Sequence, residues 1–547
     1  MAFPKGIIEL VDSLYQQGVN EAVICPGSRN APLMLALTRH GGFTCYSISD
    51  ERSAGFFGLG IALKTGRPVI LCCTSGSAGL NFAPAVVEAF FQEVPLIVLT
   101  ADRPKEWIGQ WDGQTIYQEN LFGKHSKAFF DFETDDCSTA PSVALAEPKG
   151  PVQINVPIRE PFYPEPGFVL ENSSAIFQNE NRTKTKVQSS KIDLSYFNQE
   201  IASAEKILVT VGQMEDNSIF ETLSAYGIPV IGDATSNCGS NIAHDLILAD
   251  ETAWPDLQPD LHIHFGKSFV SKRIKQFLRS HKPKQSWLIH PNPIGRPDPF
   301  LCLSHIVNTD AESFLQGAEW TTKSWNTWNL AKITPLQADF FAKPNWTEIH
   351  LYQTITEAIE NQEAEVHVAN SLAVRYINWT LAKFINTKVY ANRGTSGIDG
   401  CLSTAVGAAR KTDQLCISII GDVAFQYDRN ALWNKYISSN LRIIVFNNGG
   451  GGIFRNLDGA KDLPELNEFM ETEQGFTAEN TAKDAKMSYF SASKTSDLKL
   501  DAFFKNEGPA LLEIHTNSVE NTEELKKYMA LFKASEELKK YMALFKA

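Results

Sequence analysis

Short apolar runs alternate with helical segments along most of the chain. In the first third, apolar runs at 21–25, 68–73 and 95–100 each end in a polar or glycine-rich turn, and helical patterns lie between them. Those helical patterns cover residues 31–38, 51–63 and 83–91. Strands that alternate with helices form right-handed crossovers, so the pattern predicts a parallel sheet with helices on both faces.

The same alternation occurs three times, separated by polar or proline-rich stretches. We therefore predict three doubly wound α/β domains with parallel sheets. The predicted segments are 1–165, a linker at 166–190, a central domain at 191–335, a third domain at 345–520 and a helical tail at 521–547. The tail is unusual because residues 523–534 and 536–547 have identical sequences. We interpret the second copy as an accident of duplication and the segment as an amphipathic surface helix.

Composition excludes several classes of protein. The 547 residues carry a formal charge of −13, which disfavours nonspecific binding to nucleic acid. No apolar run is long enough to span a membrane, and the first residues lack the layout of a signal peptide. The nine cysteines form no Cys-x-x-Cys pair, which argues against a zinc site and fits a cytoplasmic protein. Gly212 is not followed by the further glycines of a dinucleotide-binding fingerprint, so the sequence gives only weak support for a Rossmann cofactor site in the central domain.

Polar residues follow two neighbouring strands of the third domain. Gly421 and Asp422 end the strand predicted at 415–420, a helix is predicted at 428–438, and Asn447 and Asn448 end the next strand. Parallel strands connected in this way end at the same edge of the sheet, where such sheets bind ligands. A carboxylate, an amide oxygen and a loop carbonyl are suitable ligands for Mg²⁺, and the glycines at 449–452 let a diphosphate approach the backbone. Each motif alone would be a common turn.

Glu51 lies where a strand gives way to a helix. An acidic residue in a first turn is favoured by the helix dipole, and that would explain Glu51 if it stood alone. However, Ala54, Gly58 and Ala62 recur every four residues and form a stripe that lets another element approach closely. A carboxylate beside such an interface would be partly desolvated, as a group that exchanges a proton at neutral pH requires.

Cationic residues follow the strands at several places. A single arginine would normally form a surface ion pair, but arginine also recognises carboxylates in a bidentate manner. The repetition predicts a pocket for multiply anionic small molecules. The positions are Ser28-Arg29, Arg103, Lys272-Arg273, Ser371 with Arg375, and Arg393.

With these residues, the chain resembles the thiamine-diphosphate-dependent enzymes of the decarboxylase type. Glu51 and the pairs at 421–422 and 447–448 carry this general resemblance. More narrowly, the chain resembles the menaquinone-pathway synthase family that makes 2-succinyl-5-enolpyruvyl-6-hydroxy-3-cyclohexene-1-carboxylate (SEPHCHC). That resemblance rests, in the order of the chain, on CPGSRNAPL at 25–33, TSGSA at 74–78, LTADRP at 99–104, the region of Gln114, SKR at 271–273, NSLAVR at 370–375, NRGTSGIDG at 392–400 and GGGGIF at 449–454.

The resemblance implies a cofactor site shared between two subunits. The N-terminal domain of one subunit would hold the pyrimidine ring, the C-terminal domain of another would hold the diphosphate, and the protein would be a homodimer or homotetramer. Glu51 would contact the pyrimidine nitrogen, Ile398 would hold the cofactor bent, and Asp422, Asn448 and the Gly450 carbonyl would bind Mg²⁺ or Mn²⁺. The remaining cofactor contacts would come from Gly421, Val423, Ala424, Ile453 and Phe454.

The resemblance also implies the reaction. The enzyme would decarboxylate 2-oxoglutarate and add the resulting succinyl carbanion equivalent to isochorismate, in an apolar site that excludes water. Ser371, Arg375 and Arg393 would bind the part derived from 2-oxoglutarate. Isochorismate would be bound by Ser28, Arg29, Arg103, Gln114, Lys272 and Arg273.

Two alternatives remain at this point. One is a thiamine-diphosphate enzyme for a simpler 2-oxo acid, such as an acetohydroxyacid synthase, although uncharged acceptors would leave several cations unpaired in a closed pocket. The other is a catalytically inactive paralogue that only binds or scaffolds, against which the presence of Glu51, Asp422 and Asn448 argues.

Overall fold

The computed structural model describes residues 5–165, 193–215, 220–238, 245–325, 328, 333–380, 384, 387–457 and 459–533. The predicted linker at 166–190 and the second copy of the duplicated segment lie outside these residues. The described chain forms three α/β units, each built on a parallel sheet. The predicted fold class is therefore confirmed.

The first sheet has the strand order β2-β1-β3-β4-β6-β5, and all of its paired strands are parallel. Its strands are β1 Glu21–Ile24, β2 Thr44–Ser47, β3 Val69–Cys73, β4 Leu96–Asp102, β5 Phe129–Asp131 and β6 Val152–Pro157. Its helices are α1 Lys5–Gln16, α2 Ala31–Arg39, α3 Glu51–Thr65, α4 Ser77–Asn81, α5 Ala83–Gln92 and α6 Ala140–Leu145.

The central sheet has the order β11-β10-β9-β7-β8 and is also parallel. Its strands are β7 Ile207–Val211, β8 Val230–Gly232, β9 Leu261–Phe265, β10 Gln285–Ile289 and β11 His305–Val307. The helices of this part of the chain are α7 Ser195–Ser203, α8 Glu221–Ser224, α9 Trp254–Leu257, α10 Lys272–Ser280, α11 Ala311–Gly317 and α12 Thr334–Phe341.

The third sheet has the order β13-β12-β14-β15-β17-β16. Its strands are β12 Ala364–Val368, β13 Lys388–Tyr390, β14 Leu415–Gly421, β15 Leu441–Asn447, β16 Ser488–Ala492 and β17 Ala510–His515. Its helices are α13 Glu348–Glu360, α14 Leu372–Trp379, α15 Cys401–Ala409, α16 Asp422–Tyr427, α17 Glu479–Asp484, α18 Leu500–Phe504 and α19 Ser518–Ala530.

The first and third sheets share one topology. Numbered within each sheet, both have the strand order 2-1-3-4-6-5. The order reverses between β1 and β3 in the first sheet and between β12 and β14 in the third. Ligands of doubly wound sheets bind at such switch points, outside the carboxyl ends of the strands. The topology therefore provides two crevices, one beside the residues after β1 and one beside those after β12 and β14.

Helices α3 and α15 join the first domain to the third through a close backbone contact. A methyl group added to Gly60 would overlap the carbonyl oxygen of Thr404, and one added to Gly407 would overlap that of Phe57. One continuous cluster of buried apolar side chains extends from the first domain into the third. Glycine allows this approach because it has no Cβ atom.

The stripe of small residues after Glu51 lets another element approach closely, as expected. A Cβ atom on Gly58 would overlap Leu71 of β3, and Ala54 and Ala62 are also buried. At Gly58, the stripe packs α3 on its own sheet.

The prediction of a helix at 428–438 was wrong. The structure has α16 at Asp422–Tyr427 instead, followed by a short 3-10 helix at Arg429–Leu432. Buried Asp428 accepts hydrogen bonds from the backbone N–H and hydroxyl of Ser403, 2.7 Å each, and this contact with α15 redirects the chain. Helix α16 begins directly at the end of β14, with Asp422 as its first residue.

Helix α19 carries most of the first copy of the duplicated segment. Leu525, Tyr528 and Phe532 are buried against the third domain while Glu523, Lys526 and Lys527 are exposed, so this copy is an amphipathic helix on the surface, as predicted. Among the described residues, no helix is both long and apolar enough to cross a membrane.

Candidate active site

The carboxyl ends of β14 and β15 bring Asp422 close to Asn448. The two strands are hydrogen-bonded neighbours, with Gly421 opposite Phe446. Asp422 is buried and accepts hydrogen bonds from the Val423 N–H at 2.7 Å and from Gln474 Nε2 at 3.1 Å. Burial raises the pKa of the Asp422 carboxyl to about 6. A nearby cation would offset the cost of keeping this buried carboxylate ionised.

Asn448 presents an unpaired oxygen in the same region. Its Nδ2 donates to Glu348 Oε1 at 2.7 Å, whereas its Oδ1 is buried and has no hydrogen-bond partner. An unsatisfied buried oxygen is costly unless a ligand contacts it. The oxygens of Asp422 and Asn448 are the type that Mg²⁺ prefers, so the residues present fit a divalent cation.

The glycine loop after Asn448 is held close to the segment around Glu471. The Gly451 N–H donates to the Glu471 carbonyl at 2.6 Å, and a Cβ atom on Gly450 would lie 2.7 Å from that carbonyl. The Gly450 carbonyl, the predicted third cation ligand, accepts the Gly452 N–H at 3.0 Å. A carbonyl oxygen has a second lone pair, so this bond leaves Gly450 able to bind a cation.

The predicted apolar contacts line the same part of the third domain. Ile398, Ile453 and Phe454 are half-buried, and Ile398 packs on the shared core. At the start of α16, Val423 and Gly421 are also half-buried, and Ala424 is buried. These positions leave apolar surface at the edge of the sheet that carries Asp422.

Glu51 begins α3 next to the switch point of the first sheet. The Asp50 side chain caps this helix by accepting the Ser53 N–H at 3.2 Å. Half-buried Glu51 has a raised pKa, mainly because of burial and also because of the charge of Asp50. It interacts electrostatically with Cys25 and Cys73, which follow β1 and end β3. The partial desolvation expected from the sequence is therefore present.

Within one chain, the neighbours of Glu51 contact the far end of α16. Arg52 Nη2 donates to the Tyr427 carbonyl at 2.7 Å, and Asn430 Nδ2 donates to Asp50 at 2.7 Å. Among the described residues, no hydrogen bond or ion pair joins Glu51 to Asp422 or Asn448. Asp422 lies at the opposite end of this six-residue helix.

The cationic residues form two groups. In the first domain, buried Arg29 donates to the Ile158 carbonyl at 2.5 Å. Burial and the positive charge of nearby Arg103 both lower the pKa of Arg29. Arg29 Nε is buried without a partner, and Arg103 donates to Ser75 Oγ at 2.6 Å and to the Gly113 carbonyl at 2.5 Å. Ser28 and Gln114 are exposed.

The second group lies between the central and third domains. Arg393 Nη1 donates to Asn370 Oδ1 at 2.7 Å, and its Nε is buried without a partner. Arg375 donates to the Ser371 carbonyl, and burial together with the charge of Arg393 lowers its pKa. Lys275 belongs to this group, because its pKa is lowered by burial and by the charges of Arg393 and Arg375.

The two central-domain cations that the sequence indicated, Lys272 and Arg273, have other surroundings than this second group. Lys272 is exposed, and Arg273 contacts the sulfur of Met529 on α19 at 3.3 Å. Sequence reasoning missed Lys275, although it stands three residues after Lys272 on the same helix. The helical spacing alone does not distinguish the two lysines, so no local signal indicated Lys275.

Three further residues at the site were missed. Gln474 donates to Asp422, Glu348 accepts from Asn448, and Glu88 accepts the backbone N–H groups of Gly394 and Thr395 at 2.7 and 2.6 Å. They lie between about 50 and 300 residues from their partners along the chain. No local motif marks them.

A buried cluster far from this edge contains Glu365, His367 and Cys416, whose potential ligand atoms lie within 4.8 Å of one another. Glu365 also accepts a hydrogen bond from Lys64, which already supplies a positive charge. Burial keeps the pKa of the Cys416 thiol well above its usual value, so the thiol is protonated. These contacts explain the cluster as a buried ion pair that joins α3 to β12.

Comparison with known proteins gives the family. Residues 6–124 match the model described as the thiamine pyrophosphate enzyme, N-terminal TPP binding domain, and residues 178–365 match the model of the middle domain. A 2-succinyl-5-enolpyruvyl-6-hydroxy-3-cyclohexene-1-carboxylate synthase of Cytophaga hutchinsonii is 40% identical over 97% of this chain and 99% of its own length. The chain belongs to the SEPHCHC synthase family. A family member from Flavobacterium johnsoniae is 38% identical over 96% of this chain and 98% of its own.

The family found by comparison is the one that the motifs indicated. A third member, from Phocaeicola vulgatus, is 35% identical over 96% of this chain and 98% of its own length. The resemblance is therefore confirmed, and the simpler 2-oxo acid enzymes are not favoured. The roles of the individual site residues remain predictions.

Proposed function

We propose that this chain decarboxylates 2-oxoglutarate and joins the remaining succinyl unit to isochorismate, giving SEPHCHC and CO₂ in menaquinone biosynthesis. The observation that carries the proposal is the buried Asp422 carboxylate beside the unpaired Oδ1 of Asn448, in a chain that matches a synthase over 97% of its length. That pair fits the cation of a diphosphate cofactor. We also propose a cytoplasmic location, where soluble anionic substrates would be available.

The cofactor in this proposal is thiamine diphosphate with Mg²⁺ or Mn²⁺. When bound, thiamine diphosphate supplies the electron sink that lets a 2-oxo acid lose carbon dioxide. Asp422, Asn448 and the Gly450 carbonyl would hold the cation, and the start of α16 at Gly421, Val423 and Ala424 would approach the diphosphate. Ile398, Ile453 and Phe454 would exclude water from the reacting carbon.

Glu51 would hold a proton at the pyrimidine nitrogen. Its raised pKa supports this role, because a carboxyl group that exchanges protons near neutral pH works best when it is partly desolvated. Within one chain, Arg52 and Asp50, which flank Glu51, contact Tyr427 and Asn430, at the end of α16 opposite Asp422. We propose a homodimer, or a dimer of dimers, in which Glu51 serves the cation site of the partner, as the family resemblance implies.

The two cationic groups would bind the two substrates. Arg375 and Arg393, with Ser371, would bind the carboxylates of 2-oxoglutarate, and the partly desolvated guanidinium groups would be neutralised by them. Arg29 and Arg103, with Ser28, Gln114, Lys272 and Arg273, would receive isochorismate. The unpaired Nε atoms of Arg29 and Arg393 support an anionic ligand in each group.

An assay of the purified protein tests the function. The protein is incubated with 2-oxoglutarate, isochorismate, thiamine diphosphate and Mg²⁺, and the adduct is detected by mass spectrometry. We expect SEPHCHC to form only when all four are present. Turnover of pyruvate without an adduct from isochorismate would instead favour an acetohydroxyacid synthase.

Replacing Glu51 tests its role separately. For Glu51→Gln we expect slow exchange of the C2 proton of bound thiamine diphosphate, measured by NMR, with cofactor binding roughly retained. Glu479→Gln is the matched control, because Glu479 also begins a helix, but its side chain is 45% exposed and pairs with Lys483. Normal exchange in Glu51→Gln would contradict the assigned role.

A mixing experiment tests whether the site is shared. Glu51→Gln and Asp422→Asn are each expected to be inactive, but in mixed dimers one of the two sites regains both native residues. Half of the dimers would then carry one intact site, so the mixture should recover about one quarter of the wild-type activity. If mixing restores no activity although subunits exchange, each site is made within one chain.

A further inference from the structure

We infer that Glu348 is a positioning residue that turns the amide oxygen of Asn448 toward the divalent cation. The inference rests on the proposed function only in assuming a cation at this site. Glu348 is the first residue of α13, lies 100 residues before Asn448, and has only 2% of its surface exposed. No motif of the sequence marks it.

The Glu348 carboxylate is fixed from several sides. Its Oε1 accepts from Asn448 Nδ2 at 2.7 Å and from the Thr516 hydroxyl at 3.3 Å. Its backbone N–H donates to Asn521 Oδ1 at 2.9 Å, and Asn521 Nδ2 donates to the Thr516 hydroxyl at 3.0 Å. Glu348 is therefore held by α19 and by the end of β17, independently of Asn448.

Oε1 of Glu348 accepts hydrogen bonds from Asn448 Nδ2 and from the Thr516 hydroxyl, and this contact decides how the Asn448 amide points. Nδ2 must face Glu348, so Oδ1 faces the opposite way. There it is buried without a partner. The reverse orientation would place two oxygens together and would present an N–H donor to the cation. Glu348 thus selects the only amide orientation that can ligate a metal.

The neighbouring asparagine shows the contrast. Asn447 Nδ2 donates to the Phe476 carbonyl at 3.0 Å and to Glu513 Oε1 at 2.7 Å, while its Oδ1 accepts the Gly449 N–H at 3.2 Å. Both ends of Asn447 are occupied within the protein, so it supports the loop. Asn448 is the residue of this pair whose oxygen is kept available. Ligands of metal sites are commonly oriented in this way by a second residue.

The test measures cation affinity rather than turnover. Mn²⁺ is titrated into the whole chain with thiamine diphosphate, and free Mn²⁺ is followed by electron paramagnetic resonance. For Glu348→Gln we expect the Mn²⁺ dissociation constant to rise by about tenfold, because glutamine can also donate and lets the amide turn. Glu365→Gln is the matched control, since it removes a buried carboxylate at the opposite end of the same sheet; its dissociation constant should stay within about twofold of wild type.

A second substitution separates positioning from a general structural effect. Asn448→Asp alone should weaken Mn²⁺ binding, because the new carboxylate faces Glu348. In the double variant Glu348→Gln with Asn448→Asp, the Mn²⁺ dissociation constant should recover to within about threefold of wild type. Aspartate offers one oxygen to the cation in either orientation, and the glutamine NH₂ group can donate to its second oxygen.

Three results would overturn the inference while wild type binds Mn²⁺ normally. The first is a Mn²⁺ dissociation constant that does not change in Glu348→Gln. The second is a double variant that binds Mn²⁺ no more tightly than Glu348→Gln, and the third is an Asn448→Asp variant that binds Mn²⁺ as tightly as wild type. The last result decides the matter if Glu348→Gln does not fold. Failure of the wild-type protein to bind Mn²⁺ with thiamine diphosphate would overturn the cation site itself, and with it this inference.

Discussion

Glu88 gives a test of how the first domain shapes the substrate site of the third. It lies on α5 and has 1% of its surface exposed. One carboxylate oxygen accepts the Gly394 N–H at 2.7 Å, and the other accepts the N–H and hydroxyl of Thr395 at 2.6 Å each. These bonds hold the loop that begins with Arg393. We therefore expect Glu88→Gln to disturb Arg393, which also loses the nearby negative charge of Glu88.

The size of the effect follows from the donors that face Glu88. Glutamine has one oxygen and one NH₂ group, so its NH₂ must face either the Gly394 N–H or the Thr395 N–H. A buried donor left without an acceptor costs about 1–3 kcal/mol. If this cost falls on the conformation that binds substrate, KM for 2-oxoglutarate should rise by about 5- to 150-fold, since 1.4 kcal/mol corresponds to tenfold.

Steady-state kinetics check this expectation. KM for 2-oxoglutarate is measured at saturating isochorismate, and KM for isochorismate is measured at saturating 2-oxoglutarate. Thermal unfolding of each variant shows whether its stability has changed. Glu93→Gln is the control, because Glu93 caps the same helix but pairs with Lys267 at 2.8 Å in the central domain. A rise in KM for isochorismate alone, or an equal effect of Glu93→Gln on 2-oxoglutarate, would refute the reasoning.

Three further expectations concern packing, pH and charge. Gly60→Ala should destabilise the protein by about 1–3 kcal/mol, because its methyl group would overlap the backbone of α15, whereas Gly508→Ala, with its nearest atom at 3.9 Å, should lower the melting temperature little. Burial lowers the pKa of His264 to about 4 from its usual 6.5, so stability present above pH 6.5 should be lost on acidification by about 1.4 kcal/mol per pH unit down to pH 4. The melting temperature of His264→Gln should therefore fall less steeply over this range, and an identical slope would exclude His264 as the cause. Lys275→Met should raise KM for 2-oxoglutarate while KM for isochorismate stays constant, and the opposite pattern would place Lys275 in the other group.

Continuous apolar runs were predicted as strands more successfully than runs that carry polar or solvent-accessible residues. The strand β15 is a continuous apolar run that is buried along its whole length, and it was found. Strands β2 and β16 were missed, because they lie at sheet edges and half of their residues or more are solvent-accessible. Strand β17 is buried but carries Glu513, which interrupts its apolar pattern and is satisfied by contacts with distant segments at Asn447, Ala478 and Tyr489.

Local sequence also determined which residues stand at the strand ends. Asp422 and Asn448 follow apolar runs directly, and parallel strands connected by one crossover bring such ends to one edge regardless of the packing elsewhere. The glycines at 449–452 and the acid at the start of α3 were visible for the same reason. Each depends only on residues close to it in the chain.

Tertiary structure alone decided how these groups are oriented and which charges meet. The amide of Asn448 points as it does because Glu348, 100 residues earlier, accepts its N–H, and the loop of Arg393 is held by Glu88, more than 300 residues earlier. Packing likewise selected Lys275 rather than Lys272 for the group around Arg393. Periodicity encodes which face of an element is buried, whereas hydrogen bonds between distant segments depend on how the domains pack together.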